Sequence, residues 1–261
     1  MNTILLAVIL VAGIGLICGL GLAVASIVMA VPKDETAEKI RECLPGANCG
    51  GCGYAGCDAL AKAIAEGKAK VDQCPVGGAP VADKIAAIMG VESGSSEKKV
   101  AFVKCKGTCD KTNVKYNYYG ITDCSMVTVA PGSGEKACAY GCMGYGSCVK
   151  ACQFDAIHVV DGVAVVDKEK CVACGKCVAT CPKGLIELVP YKAEHLVQCS
   201  SHDKGPAVKK VCTAGCIGCT LCTKQCEFDA IHMENNVAVI DYEKCTNCGK
   251  CAAKCPAKVI Q

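Results

Sequence analysis

The stretch that decides the fold reads Cys171-Val172-Ala173-Cys174-Gly175-Lys176-Cys177-Val178-Ala179-Thr180-Cys181-Pro182. Its spacing is C-x2-C-x2-C-x3-C followed by proline, the cysteine run that holds [4Fe-4S] clusters in bacterial ferredoxins. The same run returns 74 positions later, where it consists of Cys245, Cys248, Cys251 and Cys255-Pro256. Two copies of so specific a spacing predict iron–sulfur clusters that are bound by thiolates.

The repeat reaches well beyond these two runs. Residues 138–186 align without a gap to the residues 74 positions later, and each copy carries a β-rich segment, Val163–Val166 or Val237–Ile240. Short strands bounded by turn residues suit the hairpins of a ferredoxin fold. We therefore predict an α+β protein with two tandem ferredoxin-like two-cluster modules. The first occupies residues 100–190, including an N-terminal extension, and the second occupies residues 195–261.

Each complete module supplies ligands for two clusters, because the fourth cysteine of each run in a two-cluster ferredoxin binds the other cluster. In the second module this rule predicts one ligand set of Cys216, Cys219, Cys222 and Cys255 and another of Cys226, Cys245, Cys248 and Cys251. In the first module it predicts a regular set of Cys152, Cys171, Cys174 and Cys177.

The other site of the first module lacks a ligand. Tyr145 stands where the second module has Cys219, so that only Cys142, Cys148 and Cys181 remain. We expect Cys138, four residues before Cys142, to supply the fourth thiolate. A three-iron cluster and closure of the site by Cys124 are the alternatives.

A different cysteine pattern precedes the modules. Its spacing is C-x2-C-x4-C-x16-C, and its members are Cys49, Cys52, Cys57 and Cys74. Glycines among them let the backbone fold closely around an anionic cluster, and a helix over Asp58–Lys70 is expected to bring Cys74 back to the site. Four thiolates also suit structural zinc, but the modules downstream favour iron. We assign residues 34–90 to this four-iron-cluster domain and residues 91–99 to a flexible polar linker.

Some cysteines have no place in these sets. They are Cys43, just upstream of the first pattern, and Cys105, Cys109, Cys124, Cys199 and Cys212 farther along the chain. Four of the latter five can form a sixth cluster, or some of them can remain free thiols. The sequence therefore predicts five [4Fe-4S] clusters and leaves a sixth open.

Composition excludes several classes of function. The 27 cysteines among 261 residues fall in tight runs, which indicates a metal framework instead of the scattered half-cystines of a disulfide scaffold. The net charge is only +3 and the chain has no tryptophan, so nothing indicates a nucleic-acid partner. Because the sequence contains no dinucleotide fingerprint, P-loop or hydrolase constellation, we expect no complete active site on this chain.

The chain begins with a candidate membrane anchor. Residues 1–31 carry no charged side chain, and thirty helical residues rise roughly 45 Å, more than the roughly 30 Å hydrocarbon core of a bilayer. A cleaved signal peptide is the alternative, but no basic residue precedes this long run. Lys33, Lys39 and Arg41 follow it. The positive-inside rule then predicts a single-pass protein of the cell inner (cytoplasmic) membrane with its cluster domains in the cytoplasm.

The residues from Cys43 to Cys57, with the return at Cys74-Pro75, resemble the four-iron domain of the B subunit of Rnf complexes. The order of helix, four-iron domain and ferredoxin modules extends the resemblance over essentially the whole chain. It implies an electron-transfer subunit that takes electrons from soluble reduced ferredoxin and feeds a membrane assembly that reduces NAD and translocates Na+ or H+. The implied partners are the other membrane and peripheral subunits.

Two other functions remain open at the level of sequence. One is an iron–sulfur electron-transfer subunit of a membrane-bound reductase or hydrogenase that does not pump ions. The other is a structural zinc-binding adaptor.

Overall fold

The computed structural model describes residues 2–28, 34–94 and 97–261. Helix α1, Asn2–Val28, is mostly apolar and has no charged side chain, and its side chains from Val8 to Val24 are exposed. Within it, Val8–Ser26 is long and apolar enough to cross a membrane. Among the described residues, the structure contains one helix of this kind. The predicted anchor at residues 1–31 extends at both ends beyond the described helix.

Three helices form the first cluster domain. They are α2, Glu35–Cys43; α3, Cys57–Ala65; and α4, Gly78–Met89. The Asp34 side chain caps α2 by accepting from the amide of Thr36 at 2.9 Å, and Gly90 ends α4 in the left-handed conformation at φ 67°. Helix α3 begins at Cys57 itself and ends at Ala65, so it is shorter than the predicted Asp58–Lys70.

The core of this domain is small. Its fully buried side chains include Ile40, Leu60, Ile64 and Ile85, and the thiols of Cys57 and Cys74 are buried among them. Cys43 packs half-buried against the same cluster. The apolar core and the candidate metal ligands are therefore one structure.

The next segment pairs its first strand with its last. Strand β1, Lys99–Val103, is followed by α5, Cys124–Thr128; a 3-10 turn, Pro131–Ser133; α6, Ser147–Ala151; the hairpin of β2, Ile157–Val160, and β3, Val163–Val166; α7, Lys176–Thr180; and β4, Ile186–Pro190. Antiparallel pairing places Lys99 opposite Pro190 and Val103 opposite Ile186. Strand β1 thus begins within the predicted linker 91–99, of which residues 95 and 96 lie outside the described part.

The last segment has the same plan. It contains α8, Gly205–Val211; α9, Leu221–Gln225; the hairpin of β5, Ile231–Glu234, and β6, Val237–Ile240; and α10, Lys250–Ala253. Its hairpin pairs Ile231 with Ile240 in the register that pairs Ile157 with Val166. A single bridge between Val197 and Ile260 takes the place of the β1–β4 pair.

Candidate metal centres

The four cysteines of the first domain, which we call set 1, come from two loops and a helix start: Cys49 and Cys52 lie between α2 and α3, Cys57 begins α3, and Cys74 lies between α3 and α4. Set 1 is Cys49, Cys52, Cys57 and Cys74. The amide of Cys57 donates to Oδ1 of Asn48 at 2.8 Å, and Nε2 of Gln73 donates to the carbonyl of Cys52 at 3.1 Å. Burial raises the pKa of the Cys74 thiol, and the neighbouring thiols of Cys57 and Cys52 raise it further.

The regular set of the first ferredoxin segment, set 2, surrounds a cavity. Cys152, Cys171, Cys174 and Cys177 line one small cavity that is partly open to solvent. The amide of Ala101 on β1 donates to Sγ of Cys171 at 3.3 Å. Burial raises the pKa of Cys177 to about 11, and the thiols of Cys171 and Cys174 beside it add to the shift. All four predicted residues of this set come together.

At the irregular site, which we call set 3, Cys124 lies beside the three expected cysteines. Cys124, Cys142, Cys148 and Cys181 line one small cavity. Burial raises the pKa of Cys148 to about 12, with further contributions from Cys142, Cys124 and Cys181 in that order. Cys138, the expected fourth ligand, does not line this cavity; it lies at a different one, with Cys105, Cys199 and Cys212.

The placement of Cys124 has a local cause. Its amide, at the start of α5, donates to the buried Oγ of Ser147 at 2.8 Å, and that hydroxyl donates to Oδ2 of Asp123 at 2.9 Å. Ser147 directly precedes Cys148, so the two thiols are fixed to one hydrogen-bonded turn. Tyr145, which replaces the missing cysteine, packs edge-on against Tyr118 at 5.7 Å and contacts the apolar cluster around Cys124.

The two predicted sets of the last segment lie around its hairpin. Set 4 is Cys216, Cys219, Cys222 and Cys255, and set 5 is Cys226, Cys245, Cys248 and Cys251. Burial raises the pKa of Cys222 to about 11, with Cys216 and Cys219 adding to the shift. Burial also raises the pKa of Cys251, beside Cys245 and Cys248.

Equivalent backbone amides donate to equivalent sulfurs in the two segments. Leu185 donates to Sγ of Cys181 at 3.4 Å, and Val259 donates to Sγ of Cys255 at 3.4 Å. Amide hydrogen bonds to the sulfurs are among the interactions that set the potentials of bound clusters. These segments therefore supply both the thiols that would bind a cluster and the amide donors that would hydrogen-bond to the sulfurs.

The spacing of the thiols fits a group of several atoms. Zinc would draw four sulfurs to about 2.3 Å from a single ion. In sets 2 and 3 the four thiols instead line one partly open cavity each. Across residues 2–28, 34–94 and 97–261, no group of three or more Cys, His, Asp or Glu side chains converges on a position for one ion.

The buried Lys136 and the half-buried Lys183, both near these sets, were not anticipated from the sequence. Nζ of Lys136 donates to the carbonyls of Gly107 at 3.0 Å and Gly162 at 2.6 Å. Nζ of Lys183 donates to the carbonyl of Gly141 at 3.1 Å, and burial lowers the pKa of Lys183. Neither stands in a motif, so no sequence signal distinguishes them from surface lysines. Their positive charge offsets the charge of neighbouring thiolates.

Three family models match the chain. A model described as "Putative Fe-S cluster" matches residues 44–76, a 4Fe-4S binding domain matches residues 164–187, and a 4Fe-4S dicluster domain matches residues 215–260. These ranges contain all of sets 1, 4 and 5, and parts of sets 2 and 3. Iron–sulfur domains are thus present in all three cysteine-rich parts of the chain.

Several relatives match along the entire length of this chain. The B subunit of the Na(+)-translocating ferredoxin:NAD(+) oxidoreductase complex of Acetobacterium woodii is 51% identical over 261 residues, which are 100% of this chain and 78% of the relative. The B subunit of the ion-translocating oxidoreductase complex of Methanosarcina acetivorans is 44% identical, with 100% of this chain and 99% of the relative covered. The B subunit of the proton-translocating ferredoxin:NAD(+) oxidoreductase complex of Clostridium ljungdahlii is 40% identical, with 100% and 93% covered.

Proposed function

The chain belongs to the B subunits of ion-translocating oxidoreductase (Rnf) complexes, and from that premise we propose that it conducts electrons from reduced ferredoxin to the other subunits. It is one subunit of an oxidoreductase, and no complete catalytic site is assigned to it. The complete enzyme would couple ferredoxin oxidation and NAD reduction to the movement of Na+ or H+.

The single observation that carries this proposal is the contact between set 1 and set 2. A Cβ atom on Gly51 would lie 2.6 Å from the carbonyl oxygen of Cys174 and 2.9 Å from its Cα, so the two cysteine loops touch through their backbones. The pKa of the Cys174 thiol is raised by burial and also by the neighbouring Cys49 thiol. Ligands of two different sites are therefore immediate neighbours, as a relay requires.

The ligand sets supply what an electron carrier needs. A bound [4Fe-4S] cluster takes up and releases one electron at a time. We infer five such clusters, held by sets 1 to 5 in one four-iron domain and two tandem ferredoxin-like modules. In each set the chain contributes thiols, largely shielded from water, and amide donors to sulfur. Cys219 and Cys248 are exposed and offer places where partners can approach.

The N-terminal helix supports membrane attachment. Its side chains from Val8 to Val24 face away from the rest of the chain, and the basic residues Lys39 and Arg41 follow it in sequence. We infer a single-pass anchor in the cytoplasmic membrane with the cluster domains on the cytoplasmic side. The surrounding partners would be the membrane and peripheral subunits of the complex.

Reduction by ferredoxin tests the electron-transfer role. The full chain, purified anaerobically in detergent, is mixed with reduced ferredoxin in a stopped-flow instrument, and the bleaching of cluster absorbance and the EPR signals are followed. We expect rapid bleaching, with ferredoxin oxidised by an equal number of electrons. Clusters that dithionite reduces but ferredoxin does not would contradict the proposed donor.

A second measurement separates the proposal from a non-pumping reductase or hydrogenase. Inverted membrane vesicles that contain the assembled complex are supplied with reduced ferredoxin and NAD. We expect NAD reduction together with uptake of Na+ or H+ into the vesicles. NAD reduction with no ion uptake would favour the non-pumping reductase.

A further inference from the structure

We propose that Cys105, Cys138, Cys199 and Cys212 bind a sixth [4Fe-4S] cluster, between the two ferredoxin modules. We call these four residues the bridging set. The role given to it deepens the proposed relay and rests on that function, whereas its metal content can be measured independently. None of the four residues falls within the matched ranges 44–76, 164–187 and 215–260.

The four thiols line one cavity. Like the cavities at sets 2 and 3, it is small and partly open to solvent. A Cβ atom on Gly107 would lie 3.6 Å from Sγ of both Cys105 and Cys212, and one on Gly141 would lie 3.4 Å from Sγ of Cys138 and 3.6 Å from that of Cys105. Three of the sulfurs thus surround a space with glycine at its wall.

The bridging set has the internal symmetry of the repeat. Cys138 and Cys212 occupy equivalent positions 74 residues apart, and Cys105 and Cys199 each follow a similar short segment, Val103-Lys104 in one copy and Val197-Gln198 in the other. Each module therefore contributes the same two ligands to a shared site. This explains why both modules carry cysteines beyond those needed for two clusters each.

The hydrogen bonds to sulfur follow the same symmetry. Sγ of Cys105 accepts from the amide of Gly107 at 3.4 Å and from that of Cys142 at 3.3 Å. Sγ of Cys199 accepts from the amide of Ser201 at 3.4 Å and from that of Cys216 at 3.2 Å. Two amide donors on a sulfur are typical of cluster ligands and stabilise the thiolate form.

These hydrogen bonds also place the bridging set in the relay. Cys142 belongs to set 3 and Cys216 to set 4, so one hydrogen bond joins each neighbouring set to the bridging set. The contacts give the order set 3, bridging set, set 4. One electron leaving a cluster at set 3 would enter this cluster and then pass to set 4, with no further reactant.

The backbone holds the two modules together at this point. Thr112 forms a β-bridge with Cys212, the amide of Asn113 donates to the carbonyl of Val211 at 3.1 Å, and that of Thr213 donates to the carbonyl of Lys111 at 2.8 Å. The segment 106–137 of the first module thus crosses to the second. Its buried Lys136 and the nearby Lys183 place positive charge beside the thiols.

Iron counting tests the site. Cys105→Ser and Cys199→Ser are made in the full chain and purified anaerobically, with Cys109→Ser as the matched control, because Cys109 is exposed and does not line the cavity. We expect each of the two variants to lose about four iron and four sulfide per chain relative to the control, together with one EPR component. Unchanged iron in both variants, or one zinc per wild-type chain lost in both, would overturn the proposal.

A measurement on the wild-type chain covers the case in which the variants fold poorly. Anaerobic alkylation under native conditions, mapped by mass spectrometry, should leave all four bridging thiols unmodified while Cys109 reacts. After iron removal the four should react as well. Alkylation of the bridging thiols in the iron-loaded chain, with set 2 still protected, would contradict the sixth cluster.

The role of the site has its own readout. In Cys199→Ser, ferredoxin should still reduce one part of the clusters rapidly, while the remaining clusters bleach at least about tenfold more slowly than in Cys109→Ser. Equal rates for all clusters would show that the modules do not communicate through this site. A different result is that ferredoxin does not reduce the wild-type chain even though the variants lose iron as expected. That result would contradict ferredoxin as the electron donor and would still support a sixth cluster at the bridging set.

Discussion

At position 145 a tyrosine stands where the repeat has Cys219, and it packs against the cluster that includes Cys124. The ring of Tyr145 packs with Tyr118 against the apolar cluster that includes Cys124 and Val127 of α5. Burial raises the pKa of the Tyr145 hydroxyl to about 12, and nearby Glu135 contributes to the shift. The tyrosine is therefore a neutral packing residue that supports the helix bearing the replacement thiol.

The Cys124→Ser substitution should remove iron from set 3 and leave the bridging set with its full metal content. We expect Cys124→Ser to lose about one iron, giving a three-iron EPR signal, or the whole cluster, because an alcohol is a poor substitute for a thiolate. Cys138→Ser is the comparison, and it should remove the bridging cluster while the Cys142 site keeps its signal. Iron analysis and EPR of the anaerobic variants check both. An identical signal lost in both variants would return Cys138 to set 3.

Sequence reasoning grouped the regular cysteine sets, whereas at the irregular site it favoured Cys138 and gave Cys124 only as an alternative. A fixed spacing such as that of Cys171 to Cys181 folds locally around one site, so its members can be grouped without a structure. Cys138 precedes Cys142 by only four residues, and proximity along the chain favoured it over Cys124, which lines the same cavity as Cys142. Cys124 reaches Cys148 through Ser147 and Asp123, and hydrogen bonds across 23 residues leave no spacing signature.

At the scale of elements, helices and hairpins with local patterns could be anticipated, and those that depend on distant contacts could not. The strands Val163–Val166 and Val237–Ile240 lie where the repeat indicated. The segment 106–137 has no such pattern, because its pairing partners, such as Val211 for Asn113, lie nearly a hundred residues away. Strand β1 likewise depends on β4, so Lys99 could not be separated from the polar linker by composition alone.

The Gly51→Ala substitution should weaken the contact between the first cluster domain and the first ferredoxin segment. The φ of Gly51 is not in the left-handed region, so alanine strains no backbone, but its Cβ would lie 2.6 Å from the Cys174 carbonyl oxygen. Such overpacking costs about 1–3 kcal/mol, which corresponds to a roughly 5–150-fold shift toward the undocked state. The shift toward the undocked state is measured by the hydrogen exchange of residues 48–56 and by the rate at which electrons enter the cluster at set 1.

Gly67→Ala is the control for that variant. Gly67 has φ 71° and nothing within 4 Å of a Cβ, so alanine there strains the same domain without touching the module. We expect Gly67→Ala to lower the stability of the domain but to leave the docked contact unchanged. If Gly51→Ala transfers electrons as fast as the wild type, the linker at 91–99 works as a swinging tether and the docked contact is dispensable.

At the scale of the whole molecule, the candidate metal sites and the hydrophobic cores coincide. Each of the larger apolar clusters among the described residues includes ligand cysteines: Cys57 and Cys74 in the first domain, Cys148 and Cys171 in the next segment, and Cys216 and Cys222 in the last. Aromatic residues make up only 4% of the chain. Ligation therefore replaces part of the apolar burial that holds an ordinary domain of this size together.

Removal of iron should unfold the cluster-bearing part of the chain while leaving the N-terminal helix formed. The hairpins β2–β3 and β5–β6 have two strands each, and isolated two-stranded hairpins are marginally stable in water. Without metal, the thiols of sets 2 and 3 would line cavities that no side chain fills. Hydrogen exchange after anaerobic chelation in detergent should show fast exchange in both hairpins. The amides of Val8–Ser26 should stay protected, because detergent covers the apolar side chains of that helix. Slow exchange in both hairpins of the iron-free chain would show that the apolar cores alone are sufficient to keep the hairpins folded. The chain would then fold before it binds its clusters.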